Sequence, residues 1–268
     1  MNTQVNQRKL SDPLCEELAS HLEAAERNAE AVDKVTERHP EMTLADAYEI
    51  QWRARAIKER AGPRIVGMKM GLTSRAKMEQ MGVPSPCYGY LADYFACAEG
   101  EPIDTQRLIH PRVEAEIAVV TKTELRAPLH AGDVIRAIDF IVPAVEVIDS
   151  RYRNFKFDLP SVVADNTSST RYVLGSVSRR LDGLDLRTLG VVMEKNGEVV
   201  HTGAGAAVLG HPLESVAELA RMVAARGASI PTGSLILTGG ITAAIAVAAG
   251  DCITVRYQEL GSVTLRFA

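Results

Sequence analysis

The chain of 268 residues is 46% hydrophobic, enough to bury a full core as one large domain or one domain with an appendage. A net charge of −4 and a pI near 5.9 exclude a general attraction to nucleic acid or anionic lipid, which leaves a small molecule or another protein as the partner class. No apolar run reaches the length of a membrane span, and the polar N-terminus is not that of a signal peptide.

The four cysteines, Cys15, Cys87, Cys97 and Cys252, form no Cys-x-x-Cys pair and read as reduced cytoplasmic thiols, neither a disulfide framework nor a zinc site. Leu14, Leu18, Leu22, Ala25 and Ala29 fall at helical spacing in a segment over 12–38 that Pro40 closes. Thr43-Leu44-Ala45-Asp46 has the form of a capping box and opens a second helix running to Gly62. Its stripe is Ala47, Ile50, Ala54, Ile57 and Ala61, with Trp52 expected in the core.

From Arg64 the period becomes extended, and Lys69 ends a short apolar strand. Gly71-Leu72-Thr73-Ser74 then turns into a helix near Ser74, a geometry that offers N–H groups and hydroxyls to anions. Met78 and Met81 are expected to pack. Pro84 to Gly89 reads as a stiff loop and Leu91 to Ala98 as a short strand.

The most informative stretch is His110 to Val120. Val113, Ala115, Ile117 and Val119 alternate with Glu114, Glu116, Ala118 and Val120, the period of a strand with one buried face. Glu is a poor strand former. Carboxylates at i and i+2 project the same way from Cα atoms roughly 6 to 7 Å apart, so they can converge on one cation. A second extended run, Asp139 to Asp149, carries Glu146 as a third lone acid among apolar residues. Three unpaired charges on a core face are prohibitive, so the pattern points to a hard divalent ion, Mg²⁺ or Mn²⁺, held by Glu114, Glu116 and Glu146.

Asp133 to Ile138 has local helical spacing. The segment 151–169 is polar and irregular, with the character of a loop or lid beside the third acid. Asn196-Gly197 marks a hairpin between Leu189–Lys195 and Glu198–Thr202. Gly203 to Gly210 lacks the Lys-Ser/Thr of a phosphate loop and reads as a turn-rich structural segment. Pro212 to Arg226 is an amphipathic helix, and Ser234–Thr238, Asp251–Tyr257 and Ser262–Phe267 complete a strand-rich second half. None of the six histidines is spaced to activate a nucleophile.

Lys69-Met70-Gly71-Leu72-Thr73-Ser74, His110-Pro111-x-x-Glu114-Ala115-Glu116-Ile117, Val145 through Arg151 and Ala164-Asp165-Asn166 together resemble one known group. It is the 2-oxopent-4-enoate hydratase and 4-oxalocrotonate decarboxylase family of the fumarylacetoacetate hydrolase superfamily, and the similarity runs along essentially the whole chain. The resemblance implies an α+β protein, mostly β and barrel-like, with an N-terminal helical region over 1–62 and a catalytic region over 63–268. It implies Mg²⁺ or Mn²⁺ on Glu114, Glu116 and Glu146, and an active-site lysine at Lys69. It also implies a substrate-carboxylate turn at Thr238-Gly239.

Thr73 and Ser74 are expected to orient a small 2-oxo acid, and Ser161 or Ser168 to meet its distal end, within an otherwise apolar pocket. A homo-oligomer and a complex with the hydratase of the next step are implied as well. Tyr94-Phe95, Arg151-Tyr152-x-Asn154-Phe155-Lys156-Phe157-Asp158 and Gly190 through Gly197 resemble the decarboxylase branch. Hydratases of the family carry an Asp where this chain has Cys87, and adding water to a diene needs such a group while losing CO₂ does not. Hydration, or a silent partner of the hydratase, remains the alternative.

Overall fold

A computed structural model describes residues 7–74, 78–79, 83 and 85–268. The helix expected to open near Ser74 and the packing of Met81 fall largely outside the described residues. Two helices, α1 (Asp12–Asn28) and α3 (Leu44–Arg60), pack on each other, with the one-turn α2 (Val35–Arg38) between them. The Thr43–Asp46 capping box forms, and the Asp46 carboxylate also accepts from the N–H groups of Lys9 and Leu10.

Two helical expectations are corrected. The first helix does not run to residue 38: Ala29 takes a left-handed conformation (φ 50°), and Glu30 N–H closes on Ala25 O. The break frees Val32 to pair as a strand with Tyr152 through Val32 N–H to Arg151 O and Arg153 N–H to Val32 O. Trp52 is 60% exposed rather than core, because it lies two residues from both Ile50 and Ala54, about 200° around the helix from the buried stripe.

The remaining chain forms two mixed sheets. The larger has the order β2 (Cys87–Ala92), β1 (Ile65–Gly71), β10 (Leu235–Leu237), β5 (Arg112–Thr121), β6 (Ile138–Ile148), β7 (Ser169–Leu174) and β3 (Ala96–Cys97), with β11 (Ile245–Ala246) also on β5. The smaller runs β4 (Pro102–Ile103), β13 (Gly261–Phe267), β12 (Cys252–Tyr257), β8 (Gly190–Lys195) and β9 (Glu198–Ala204). Asn196 and Gly197 both take positive φ in the β8–β9 turn, as a two-residue hairpin requires.

The alternation in β5 sorts as expected. Val113, Ala115, Ile117 and Val119 enter the main core, while Ala118 joins Val142, Ala144, Leu235 and Leu237 in a second cluster on the opposite face. The carboxylates share that second face. One loop was misjudged, since Cys87 to Gly89 is strand rather than stiff loop, while 151–169, expected as a loop or lid beside the third acid, is more ordered than that. That segment holds the helix Leu159–Ala164 and two 3-10 turns, and residues 161–170 are all buried. Among the described residues, no helix is long and apolar enough to cross a membrane.

Candidate active site

Antiparallel pairing sets Glu114 directly opposite Glu146, with Glu116 opposite Ala144. On the other side of β5, Leu237 pairs with Ala118, so the chain leaving β10 passes Ile117 and Glu116 as Thr238 and Gly239. Thr238 donates its N–H and its hydroxyl to Ile117 O, at 3.1 and 2.8 Å, and Gly239 N–H donates to Glu116 Oε2 at 2.7 Å. Lys69 belongs to the same row through Leu237, Ala118 and Val142. Its Nζ lies 3.0 Å from Glu146 Oε2 and donates to Thr167 O at 3.1 Å. One oxygen from each of Glu114, Glu116 and Glu146 falls within 4.8 Å of the others.

All three acids are buried, Glu116 and Glu146 completely. Burial and then the neighbouring Glu146 charge push the Glu116 carboxyl well above the usual range, and burial raises Glu146 against the pull of Lys69. Burial alone would lower Lys69, but Glu146, Glu116 and Glu114 outweigh it and hold the ammonium charged. Among the described residues Glu116 Oε1 and both Glu146 oxygens accept no hydrogen bond; the Lys69 contact is an ion pair without hydrogen-bond alignment. Convergent, buried oxygens with open lone pairs and an excess of negative charge suit a hard divalent cation. The donor set fits Mg²⁺ and Mn²⁺ alike.

A cavity of about 480 Å³ opens beside Glu114 and Lys69. Lys69, Thr73, Glu114 and Ser168 line it, as does Gly240, where a Cβ would stand 2.9 Å from the Glu114 carboxyl carbon. Thr167 and Ser168 form part of the cavity wall, and with Asn166 before them they take three successive left-handed conformations, φ 48°, 55° and 57°, which L-residues avoid. Three contacts hold them there. The buried Arg151 guanidinium pairs with the Asp165 carboxylate; Asn166 Oδ1 accepts from Tyr90 N–H at 2.8 Å; and Asn166 Nδ2 donates to Tyr90 O at 3.1 Å. Among the described residues the buried Ser168 hydroxyl has no hydrogen-bond partner, a group left for a ligand.

Of the residues singled out in the sequence, Lys69, the three glutamates, Thr73, Ser168 and Gly239 come together. The others do not reach the cavity in the same way. Ser161 Oγ sits 3.0 Å from Thr36 Oγ1 within the helix 159–164, Thr238 is spent on Ile117 O, and the Ser74 carbonyl accepts from Met78 N–H. Arg112, Phe155, Lys156, Phe157 and Thr167 line the cavity and were missed. Arg112 had a signal as the member two residues before Glu114 in the same alternation, and the other four lie in the segment 151–169 expected as a loop or lid. The surroundings are therefore not purely apolar, because two cations stand beside the phenylalanines.

The fumarylacetoacetate (FAA) hydrolase C-terminal family matches residues 67–268. A 4-oxalocrotonate decarboxylase of Pseudomonas putida is 65% identical over 251 residues, covering 93% of this chain and 95% of its own. The TodF product hydratase of Pseudomonas putida is 43% identical over 93% of this chain and 94% of its own. The solved 4-oxalocrotonate decarboxylase from Pseudomonas putida G7, complexed with magnesium and adipate, superposes with a TM-score of 0.96 at 62% identity, over 98% of this chain and 100% of that one.

Proposed function

Since this chain belongs to the fumarylacetoacetate hydrolase family, we propose that it decarboxylates 4-oxalocrotonate (2-oxohex-3-enedioate) to 2-hydroxypenta-2,4-dienoate and CO₂, within meta-cleavage degradation of aromatic compounds. It is a metal-dependent carboxy-lyase. The observation that carries the reading is 65% identity to a decarboxylase over nearly the whole chain, against 43% to a hydratase. Cys87 in place of an acid supports the same side.

Glu114, Glu116 and Glu146 would hold Mg²⁺ or Mn²⁺, with residues 63–268 as the catalytic region and 1–62 as its helical support. The ion, when bound, supplies Lewis acidity toward the substrate's 2-oxo group. In the reaction the C5–C6 bond breaks and its electron pair becomes the C4–C5 double bond. The former alkene pair moves to C2–C3, and the carbonyl pair settles on the 2-oxygen. That oxygen takes up a proton, and the distal carboxylate leaves as CO₂.

Lys69, kept charged by its acidic neighbours, is positioned to hydrogen-bond the 2-oxygen and to hold the proton it receives. Thr73 and the Ser168 hydroxyl, both lining the cavity, orient the substrate. Gly239 N–H acts through Glu116, and Thr238 fixes the turn that presents it. Ser74 and Ser161 support these walls rather than the substrate.

Mixing the Mg²⁺-loaded protein with 2-oxohex-3-enedioate should release CO₂ promptly, and retained turnover after EDTA treatment would remove the metal from the reaction. Water addition to the dienol without CO₂ would reassign the chain to the hydratases. Neither activity would leave a silent partner. The resemblance also supports a homo-oligomer and association with the following hydratase, which sedimentation with and without that enzyme would resolve.

A further inference from the structure

We propose that Arg112 holds the distal carboxylate of the substrate and thereby selects dicarboxylates over monocarboxylates. The inference rests on the decarboxylase reading above and goes beyond it by assigning the far end of the site. Arg112, Glu114 and Glu116 project from the same face of β5, and Arg112 pairs with Ile148 one step beyond the Glu114–Glu146 pair. Arg112, Glu114 and Ile148 all line the same cavity. Alternate residues of a strand are roughly 6.7 Å apart. Four carbons separate the two carboxylates of 2-oxohex-3-enedioate, a span of comparable length. A substrate whose oxo end meets the acidic centre therefore extends its other end toward the guanidinium.

The setting of Arg112 is built for an anion. Its guanidinium carbon stands 4.3 Å from the Phe155 ring centroid, and Phe155 in turn packs on His110 and Phe157 at 5.2 and 5.9 Å. Stacking on an aromatic face fixes the plane of the guanidinium and leaves its N–H edge to donate in pairs to a carboxylate. Among the described residues it makes no hydrogen bond or ion pair. Phe155 reaches this place with φ +58°, a conformation that bulky residues avoid, so the backbone is strained where the platform is made. Lys156 lines the cavity too, but an ammonium lacks the fork that reads a carboxylate's geometry.

A cation on the distal carboxylate stabilises a charge that disappears as CO₂ departs. Arg112 is thus a binding and specificity residue, and its loss should appear in KM rather than in kcat. Calorimetry on the Mg²⁺-loaded protein with 2-oxohexanedioate and 2-oxohexanoate tests this, since the pair differs only in the distal carboxylate and neither has the alkene needed for turnover. In Arg112→Gln the dicarboxylate should lose about 10- to 100-fold in affinity, the usual cost of a charge-assisted hydrogen bond, while the monocarboxylate binds as before. Arg112→Lys should recover part of the loss, and thermal melting confirms that each variant is folded. Parallel loss of both ligands, no loss of either, or discrimination that follows Lys156→Gln instead would overturn the assignment. These measurements need no catalysis. A wild type that prefers the dicarboxylate yet releases no CO₂ from 2-oxohex-3-enedioate would sink the decarboxylase reading alone.

Discussion

Glu114 on β5 and Glu146 on β6 are direct cross-strand partners, two acids facing each other on a buried sheet face. Like charges at such a position oppose folding, and Glu116 adds a third. A sheet that keeps this arrangement has its stability coupled to whatever neutralises it.

Glu116→Gln should therefore separate stability from function. Without metal the variant is expected to melt higher than the parent at neutral pH, because a carboxyl whose pKa is raised on burial costs stability above the unfolded carboxylate range and a neutral amide does not. With Mg²⁺ it should gain little, and CO₂ release should fall by more than about 100-fold, since even groups that only support ligands cost 10- to 100-fold. Melting curves with and without Mg²⁺, read beside turnover, check both halves; an unchanged response to Mg²⁺ would refute the ligand role.

Lys69→Met removes the cation beside Glu146 and leaves that carboxylate buried without its ion pair. The metal-free protein should lose about 3–5 kcal/mol. Turnover should fall about 100- to 1,000-fold even at saturating Mg²⁺ and substrate, as expected for a lost oxyanion donor. Full activity in Lys69→Met would place the proton donor elsewhere.

Gly239 has φ +115°, and a Cβ there would stand 2.1 Å from Thr73 Oγ1. In Gly239→Ala the turn must shift, which moves the N–H away from Glu116 Oε2. Strain of about 1–3 kcal/mol should lower the melting temperature by several degrees, and Mg²⁺ should bind at least about tenfold more weakly. Alanine tolerated without effect on metal affinity would show that the N–H is dispensable.

Burial pushes the Cys87 thiol up to about 11, against the pull of Lys69. A raised thiol pKa keeps the neutral form through pH 8, so iodoacetamide should label Cys87 only near pH 11 or after unfolding, while the half-buried Cys97 and Cys252 remain open to reagent. Cys87→Asp places a carboxylate where the family resemblance implies one in the hydratase branch. Water addition to 2-hydroxypenta-2,4-dienoate, undetectable or weak in the parent, should rise at least about tenfold, in line with a general acid or base gained. No gain would mean that the choice between the two reactions is made elsewhere in the pocket.

The face that gathers the three glutamates was legible because a strand's alternation is strict: one Glu out of place in β5 would have broken the pattern. Lys69 showed as a charge ending an apolar strand, and the capping box at Thr43 showed through local chemistry alone. What escaped depended on partners distant in sequence. The left-handed run at Asn166 to Ser168 is held by Tyr90 and Arg151, and the break after Asn28 exists so that Val32 can pair with Tyr152. Ser161 and Ser168 looked equivalent in a polar segment, yet helix 159–164 turns one toward Thr36 and leaves the other at the cavity. Trp52 was misplaced by its residue type, although the angular position on its helix argued for solvent.

The side chain of Gln51 on α3 donates from one Nε2 to both Tyr88 O and Val163 O, at 2.9 Å each. A single amide thus pins the strand carrying Cys87 to the helix that leads into the Ser168 wall. Trimming the chain's helical beginning, or grafting a relative's in its place, would loosen two sides of the pocket at once unless that one amide were reproduced.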